Sequence, residues 1–352
     1  QQELQKAMVQ VQKIIDGGEF ENYDKAEGLI REALQVGVVE EGMADVFSNL
    51  DEVLNEDYRH PIPIGIPGID RLLKGGLAKG EIGVILAPTG VGKSTMLTKI
   101  SNHAFNLGYN VLQIFFEDNP KIIQRKHITL WTKIHPDELS LKKDEVMSKV
   151  KEIKDTMPNK LILQKYPSDT MTMLQIKNSI RKMVADGIKI DLILLDYIDC
   201  VVPDKNLGDE WKSEGSVMRA FEAMCHEMNI VGWTATQGNR SSISSEVVTT
   251  DQMGGSIKKA QVGHVIISVA KTLQQKEMKL ATIAITKSRI GDDGIVFENC
   301  KFDNSMLEID TDSSVTFLGL EEKQEEKKKN QPGQKKQKSV QKKKKKKGMN
   351  TI

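Results

Sequence analysis

One stretch of eight residues constrains this chain more than any other feature: Ala-Pro-Thr-Gly-Val-Gly-Lys-Ser at positions 87–94. It directly follows the apolar run from Ile82 to Ala87, which predicts a buried strand, and it opens a helical pattern that begins at Lys93. A glycine-rich turn between a strand and a helix lets successive backbone N–H groups surround an anion, and the helix N-terminus adds positive potential. The sequence therefore predicts a phosphate-binding loop in which alanine replaces the first glycine.

The residue types in this loop also predict which chemistry each side chain serves. Lys93 is long enough to reach the β- and γ-phosphate oxygens of ATP, and the hydroxyl of Ser94 is a ligand for Mg²⁺. A glycine turn that merely precedes Lys-Ser is the alternative interpretation, and the flanking strand and helix disfavour it. The predicted nucleotide-binding residues are Ala87, Pro88, Thr89, Gly90, Val91, Gly92, Lys93, Ser94 and Thr95.

Two acidic residues follow apolar runs and are candidates for metal binding and for activation of water. Asp196 ends the run that starts at Leu192, and we predict that it binds Mg²⁺; capping of the next helix is its alternative role. Glu117 ends the run that starts at Val111, and we predict that it orients and deprotonates the attacking water. Asp118 is the alternative base, although its position before Asn119-Pro120 is typical of a helix cap.

Three more polar residues stand on or after predicted strands. Gln237 follows an apolar run and is predicted to sense the γ-phosphate, whereas an isolated glutamine there is more often a solvated loop residue. Lys287 and Arg289 are separated by one residue on a β segment, so they point to the same face of that strand. Taken alone, they would be an exposed basic pair.

The order of apolar runs and helical patterns predicts an α/β fold with a mostly parallel central sheet flanked by helices. The predicted buried strands are 82–87, 111–116, 161–164, 192–195 and 230–235, and the predicted helices are 93–107, 121–132, 143–157, 173–185 and 214–228. Three later β segments, 265–269, 280–287 and 295–302, are predicted to form antiparallel additions at the C-terminal edge. Two helices, at 4–15 and around 26–33, and a short amphipathic piece at 46–54 precede this core.

Charge and composition divide the chain further and exclude several classes. The segment 321–347 has 13 lysines and four glutamates, a net charge of +9, so the rest of the chain must carry −8 within a total of +1. We expect this tail to be disordered, and either a solubilising segment or an electrostatic arm for nucleic acid. The predicted domains are a helical linker at 1–57, the remnant of a larger N-terminal region; an α/β domain with the phosphate loop at 58–320; and the tail at 321–352.

The remaining composition favours an intracellular globular protein. The chain is 39% hydrophobic and has no run of about 20 apolar residues, so we expect no membrane association and a cytoplasmic location. Its three cysteines, Cys200, Cys225 and Cys300, stand far apart, which argues against a disulfide framework and a thiolate zinc site.

Taken together, the motifs resemble the RecA-fold motor of replicative DNA helicases of the DnaB family, especially those of tailed bacteriophages. The resemblance covers about residues 60–310 and depends on the order of several motifs: Gly65-Ile66-Pro67-Gly68-Ile69-Asp70, the phosphate loop, Phe116-Glu117-Asp118, Lys165-Tyr166-Pro167, Asp196-Tyr197, Thr236-Gln237-Gly238-Asn239-Arg240 and Thr286-Lys287-Ser288-Arg289. No piece other than the phosphate loop is specific alone.

The resemblance implies an ATP- and Mg²⁺-dependent hexameric ring that encircles one DNA strand, moves 5′ to 3′ and acts on single-stranded and forked DNA. It implies primase and a helicase loader as partners, and a bacterial host cell if the gene belongs to a phage. Lys93, Ser94 and Asp196 match the phosphate and metal positions, Glu117 the catalytic glutamate, and Gln237 the sensor. Lys287 and Arg289 match the pair that reaches the neighbouring subunit's ATP, and Arg125 matches an arginine that steadies the glutamate.

The resemblance also places two DNA-binding loops, at about 203–213 and 238–259, with Arg240, Lys258 and Lys259 as candidate phosphate contacts. The first loop contains three acidic residues, so the second loop is the better candidate. We expect no counterpart of the family's primase-interacting domain in these residues. Three other functions share parts of this pattern: a RecA-type recombinase, a KaiC-like signalling ATPase, and a scaffold that binds nucleotide without hydrolysing it.

Overall fold

The computed structural model of the chain describes residues 2–16, 46–54, 58–204, 210–239, 242, 247–253, 257–312 and 318–319. The chain divides into two compact units, residues 1–58 and 59–352. The first unit contains helices α1 (Gln2–Asp16) and α2 (Leu50–Val53). The helix predicted around 26–33 and the lysine-rich tail lie outside the described residues. None of the helices in the described ranges has the length and apolar character that a membrane span requires.

The second unit is built on one ten-stranded sheet in the order β10-β8-β7-β6-β1-β5-β4-β2-β3, with β9 paired to β8. Its strands are β1 (Ile82–Ala87), β2 (Val111–Phe115), β3 (Leu161–Lys165), β4 (Leu192–Asp196), β5 (Val231–Gln237), β6 (Val265–Ala270), β7 (Leu280–Ser288), β8 (Ile295–Asp303), β9 (Glu308–Asp310) and β10 (Leu318–Gly319). Its helices are α3 (Pro67–Leu72), α4 (Lys93–Asn106), α5 (Pro120–Thr132), α6 (Lys143–Thr156), α7 (Met173–Ala185), α8 (Glu210–Glu227), α9 (Ile257–Val262) and α10 (Leu273–Glu277).

The first six strands are parallel to one another, and the antiparallel pairing starts between β6 and β7. The predicted fold class is therefore confirmed. One detail goes beyond the prediction: the segment 265–269 pairs antiparallel with β7 on one side, as expected, but parallel with β1 on the other, so it joins the two parts of the sheet. The physical reason is α9, a crossover helix between β5 and β6. Its six residues are too few for the sequence pattern to show a helical period.

The core lies in two layers, one on each face of the sheet. Because alternate residues of a strand point to opposite faces, Ile85 packs with the layer that contains α4, and Val84 packs with the layer that contains α7 and α8. Trp233 is the largest fully buried side chain, and its ring covers Gly83, where an added Cβ would lie 2.4 Å from a ring carbon. The three cysteines are free and buried.

A buried chain of polar side chains joins α4 to α5. His127 on α5 is hydrogen-bonded through Nδ1 to Asn102 (3.2 Å) and through Nε2 to Gln113 (3.0 Å), and Gln113 donates to Thr98 (3.2 Å). Burial lowers the pKa of His127 to about 3, so the ring is neutral and can both donate and accept. These bonds fix the helix that follows Glu117 against the helix that follows the phosphate loop.

Candidate nucleotide site

The strands that carry the predicted site residues are neighbours, in the order β1, β5, β4, β2. In the sheet register, Gln237 is level with Ala87, and Asp196 is level with Phe115. Neighbouring strands lie about 4.8 Å apart, so the loop after β1, Gln237, Asp196 and Glu117 gather at one edge of the sheet. This is the carboxyl edge of the parallel strands, where open α/β sheets bind their ligands.

A cleft of about 360 Å³ opens at this carboxyl edge. Its lining comes from the phosphate loop, from the ends of three strands and from the β8–β9 turn: Thr89, Gly90, Gly92, Lys93, Ser94, Thr95, Phe115, Glu117, Asp118, Lys126, Asp196, Tyr197, Gln237 and Asn304. The structure thus brings together most of the residues predicted to bind and hydrolyse a nucleotide.

Two glycines give the phosphate loop its conformation. Gly90 and Gly92 have φ angles of 76° and 131°, which side-chain-bearing residues rarely adopt. At Gly92 an added Cβ would also lie 2.6 Å from both Phe302 and Asn304, so the β8–β9 turn packs directly on the loop. The backbone therefore stays accessible from the cleft, as a cradle for phosphate oxygens requires.

Lys93 is a buried cation of the cleft and is only 9% exposed. Its ammonium donates to the carbonyls of Ala87 (3.2 Å) and Pro88 (3.4 Å) at the start of the loop. Burial lowers the pKa of Lys93, while the carboxylates of Asp196, Asp199 and Glu117 oppose that shift. The loop therefore holds this cation close to its own backbone N–H groups, where a phosphate would lie.

Asp196 and Ser94 form a pair of hard oxygen ligands. Asp196 is 6% exposed, and burial raises the pKa of its carboxyl group, although a hydrogen bond from Ser94 acts in the opposite direction. A buried carboxylate beside a hydroxyl is a donor set that Mg²⁺ prefers, and a cation there would offset the cost of burying the charge. These two residues therefore fit the magnesium ion that the phosphate loop implies.

Glu117 is exposed to the cleft and is held by Tyr197. The phenol of Tyr197 donates to the Glu117 carboxylate at 3.1 Å, and burial raises the pKa of the phenol, which keeps that proton in place. The ammonium of Lys165 donates to the backbone carbonyl of Glu117 at 3.2 Å. The carboxylate therefore points into the cleft with one of its oxygens already hydrogen-bonded.

Two expectations about the neighbours of Glu117 are wrong. Arg125 donates to the carbonyl of Pro136, because α5 turns its side chain away from the cleft, so it does not steady the glutamate. The cap of α5 is Asn119, whose side chain accepts from the backbone N–H of Lys121 at 2.9 Å. Asp118, expected as the cap, instead pairs with Lys126 at 3.2 Å inside the cleft.

Gln237 is hydrogen-bonded both to the phosphate loop and to Asp199, which also bonds to Thr236. Its side-chain oxygen accepts a hydrogen bond from the hydroxyl of Thr89 at 3.2 Å, and its backbone N–H donates to Asp199 at 3.3 Å. Asp199 also accepts from the hydroxyl of Thr236, at 3.2 and 3.1 Å. A change in the loop can therefore reach Asp199 through one residue.

Lys287 and Arg289 lie toward the amino ends of the parallel strands, which is the edge of the sheet opposite to the cleft and is called the amino edge below. Lys287 pairs with Ile266, which is level with Val84, so it stands three residues before the end of β1 at Ala87, or about 10 Å along the strand. The backbone N–H of Arg289 bonds to His264, two residues farther away. This pair is too distant to contact a nucleotide in its own subunit's cleft.

The three residues predicted to contact DNA have different outcomes. Arg240 lies outside the described residues, and Lys258 lies on α9, within a segment that was predicted to be a loop. Lys259 is 2% exposed and forms an ion pair with Asp199, so its ammonium faces the protein interior. The prediction that Lys259 contacts DNA is therefore corrected, because its charge is already matched by a buried partner.

Several residues of the site were missed at the sequence level. Tyr197, Asp199, Lys126 and Asn304 all contact or line the cleft or its network, yet none was predicted as a site residue, although Tyr197 belongs to the Asp196-Tyr197 motif. Tyr197 and Asp199 follow Asp196 closely, so proximity to a metal-binding residue was the available signal. Asn304 comes from more than 200 residues after the loop, and only the tertiary fold brings it there.

A phosphate loop at the carboxyl edge of a parallel sheet, with an acidic residue after each of two further strands, defines a P-loop nucleotide-binding protein. The family described as DnaB-like helicase C-terminal domain matches residues 61–350, which is most of the chain. The chain therefore belongs to this family, and the resemblance inferred from its motifs is confirmed.

Individual relatives agree with this assignment. The chain is 22% identical over 281 residues to the DnaB-like replicative helicase of Enterobacteria phage T4, a match that spans 75% of this chain and 58% of that protein. It is 26% identical over 164 residues to the DNA repair protein RadA of Rickettsia conorii, which covers 47% of this chain and 30% of that protein. The chain thus spans little more than half the length of the phage relative.

Two solved structures share the fold. One is described as a DnaB-like replicative helicase and its interactions with primase; it has a TM-score of 0.63 at 15% identity and covers 87% of this chain and 76% of its own. The other, described as an ATPase domain, has a TM-score of 0.61 at 14% identity and covers 82% of this chain and 98% of its own. These matches show that the sheet and its helices have the RecA-like fold that the two structures share.

Proposed function

We propose that this chain is the motor of an ATP-dependent replicative DNA helicase that assembles as a ring hexamer, moves 5′ to 3′ on single-stranded DNA and unwinds forked duplex. The observation that carries the proposal is the separation of the cleft from Lys287 and Arg289, which lie at opposite edges of the sheet. A subunit built this way needs a neighbour to complete its site, and a closed ring gives every subunit such a neighbour.

Each residue of the cleft has a defined task in this proposal. The loop backbone and Lys93 hold the β- and γ-phosphates, and Ser94 and Asp196 hold Mg²⁺, which neutralises charge on the transferred phosphoryl group when it is bound. Glu117, oriented by Tyr197, takes a proton from the attacking water. Arg289, with Lys287, stabilises the developing charge in the neighbouring subunit's cleft.

The DNA would lie against the loops that follow β4 and β5, with Arg240 and Lys258 as phosphate contacts that do not read bases. Primase and a helicase loader are proposed partners, because one structural neighbour is described together with primase. A recombination function is the second candidate, since the match to the repair protein RadA covers almost half of the chain.

The deciding experiment measures ATP-dependent displacement of a labelled strand from a forked duplex with a free 5′ tail, with Lys93→Ala protein as the control. The proposal predicts unwinding that requires both the 5′ tail and Lys93. Hydrolysis that single-stranded DNA stimulates, without any unwinding, would favour the recombinase. Absence of hydrolysis would favour a scaffold that binds nucleotide without turnover.

A further inference from the structure

Helix α9 is held at two places by long cationic side chains. One of them is its own Lys259, whose ammonium forms an ion pair with Asp199. The Lys259 side chain is 3% exposed and that of Asp199 is 23% exposed, so the pair is shielded from water. Asp199 in turn accepts hydrogen bonds from the Thr236 hydroxyl and the Gln237 backbone. This anchor ties α9 to the strand that carries the proposed γ-phosphate sensor.

The second anchor comes from β7. Lys287 donates from its ammonium to the carbonyls of Ala260 (2.7 Å), Gln261 (2.9 Å) and Gly263 (2.7 Å), which end α9. Arg289 adds one hydrogen bond to the Gln261 carbonyl at 2.7 Å. A cation at a helix C-terminus is favourable because unpaired carbonyls and the helix dipole both attract it.

The number of N–H donors prevents Lys287 from binding a further acceptor while it holds α9. An ammonium group has three N–H donors, and all three are used on α9, whereas a guanidinium has five. Arg289 can therefore hold the Gln261 carbonyl and contact a phosphate at the same time. Lys287 can donate to a phosphate only after it releases at least one carbonyl of α9.

We propose that α9 couples the two nucleotide sites to which one subunit contributes, with Asp199 and Lys259 as the positioning residues of this coupling. Binding in the subunit's own cleft acts on Gln237 and Asp199 and thereby on Lys259. Binding in the neighbour's cleft draws Lys287 away from the C-terminal end of the same helix. This inference depends on the proposed function, because it requires Lys287 and Arg289 to act on a neighbouring subunit.

The dimensions of α9 suit this task. Its six residues span about 9 Å, so the two anchors lie within about two turns of the same helix. Ala260, which follows Lys259 and whose carbonyl is part of the second anchor, is 6% exposed and belongs to the core layer that includes Phe116 and Val248. The helix is thus packed against the interior, and its displacement has an energetic cost that both sites share.

The test compares cooperativity of nucleotide binding in wild-type protein and three variants. The variant Asp199→Asn/Lys259→Met removes both charges, so neither is left buried without a partner. The matched control is Arg59→Met/Glu81→Gln, which removes another shielded ion pair (2.6 Å, side chains 15% and 20% exposed) at the amino edge of the sheet. Binding of a fluorescent non-hydrolysable ATP analogue is titrated, and thermal unfolding is recorded in parallel.

Wild-type protein and the control are expected to bind the analogue cooperatively. The Asp199→Asn/Lys259→Met variant is expected to bind it with a Hill coefficient near 1. In wild-type protein, by contrast, binding at one site is expected to change the affinity of the next site about fivefold or more. Lys259→Arg, which keeps the ion pair, is expected to retain cooperativity. A merely structural role would lower the unfolding temperature without removing cooperativity.

The outcomes separate this inference from the function on which it depends. Wild-type protein that neither unwinds DNA nor binds the analogue cooperatively overturns both. An active, cooperative wild type with an equally cooperative Asp199→Asn/Lys259→Met variant overturns the coupling alone, and so does equal loss in the Arg59→Met/Glu81→Gln control. If the Asp199→Asn/Lys259→Met protein does not fold, Asp199→Asn alone replaces it, since this change keeps the shape of the side chain and removes the charge that holds Lys259. Unchanged cooperativity in that variant then overturns the coupling.

Discussion

The two edges of the sheet differ in how completely a single subunit organises them. At the carboxyl edge, functional side chains bond to one another: Tyr197 to Glu117, Thr89 to Gln237, and Ser94 to Asp196. At the opposite edge, Lys287 and Arg289 bond only to backbone carbonyls of α9 in the hydrogen bonds described for their side chains. The first edge is a nearly complete site, and the second edge supplies groups for a site elsewhere.

The acceptors at the two edges explain this difference physically. A hydrogen bond between a cation and a neutral carbonyl is weaker than one between a cation and an anionic oxygen. Phosphate oxygens can therefore displace the α9 carbonyls from Lys287 and Arg289 without a large net cost. The carboxylates at the first edge are already close to cations, and their geometry changes little unless a metal or phosphate replaces those partners.

Removal of Arg289 tests most directly whether the second edge acts on the site of a neighbouring subunit. We expect Arg289→Ala to lower ATP hydrolysis by about 10³-fold, because an arginine that acts from a neighbouring subunit has an effect of that size on phosphoryl transfer. Nucleotide binding is expected to remain within a few-fold of wild type, since Arg289 is far from its own cleft. Steady-state hydrolysis and binding of a fluorescent ADP measure the two quantities.

A mixing experiment is the control for this prediction. Lys93→Ala protein has a defective cleft but an intact Arg289, and Arg289→Ala protein has the reverse. Mixed assemblies contain interfaces in which an intact cleft meets an intact arginine, so some hydrolysis is expected to return. No recovery at any mixing ratio, or equal loss of binding and turnover in Arg289→Ala, would contradict the assignment of Arg289 to a neighbouring site.

A smaller effect is expected inside the carboxyl edge. Tyr197→Phe removes the hydroxyl that orients Glu117, and a hydrogen bond to a charged group contributes about 1.5–3 kcal/mol. We expect kcat to fall about tenfold or more, while the KM for ATP changes little, because Glu117 acts on water and not on the bound phosphates. A stopped assay of phosphate release over a range of ATP concentrations separates the two parameters.

Tyr166→Phe is the matched control for Tyr197→Phe. Its hydroxyl donates to Ser179 on α7 at 3.0 Å, so its removal leaves the hydrogen bond to Glu117 in place. A comparable loss of kcat in both variants would show that the effect is general destabilisation. A rise in KM with unchanged kcat in Tyr197→Phe would assign the tyrosine to nucleotide binding.

The carboxyl edge was far more predictable from the sequence than its opposite. The residues predicted for the former stand directly after apolar runs, and parallel strands bring such positions together at one edge. The phosphate loop, Asp196, Glu117 and Gln237 could therefore be placed by counting strands. The anchoring of Lys287 could not, because it depends on three carbonyls that end a six-residue helix.

Lys259 shows most clearly where sequence reasoning stops. A lysine in a glycine-containing segment after a sensor residue has the pattern of a DNA contact, and nothing local indicates a buried partner. Asp199 lies 60 residues earlier in the chain, and only the order of β4 and β5 in the sheet brings the two charges together. Arg125 shows the opposite error. Its spacing from Glu117 matches the family, but α5 directs its side chain to the carbonyl of Pro136 and away from Glu117.

A small effect of pH on stability distinguishes Lys287 from Lys271, a lysine near the phosphate loop. Lys271 donates to the carbonyl of Phe302 at 3.0 Å, and burial lowers the pKa of both lysines to about 8. In the unfolded chain each lysine keeps its proton until about pH 10.4, so between about pH 8 and pH 10.4 the unfolded state binds more protons. The contribution of each lysine to stability is therefore least favourable below pH 8 and rises with pH across this window.

Chemical unfolding at pH 7 and pH 10 measures that rise. Relative to Lys287→Met or Lys271→Met, wild-type protein is expected to gain stability at pH 10. For Lys287, whose charge is partly exposed and therefore screened, the gain is less than about 1 kcal/mol. A saturating ATP analogue should then separate the two edges: contact with a neighbour's phosphate restores the ordinary pKa of Lys287 and removes its pH-dependent term, whereas the term from Lys271 persists. Loss of both terms, or of neither, would contradict the distinction between a self-contained edge and an edge that is completed by another subunit.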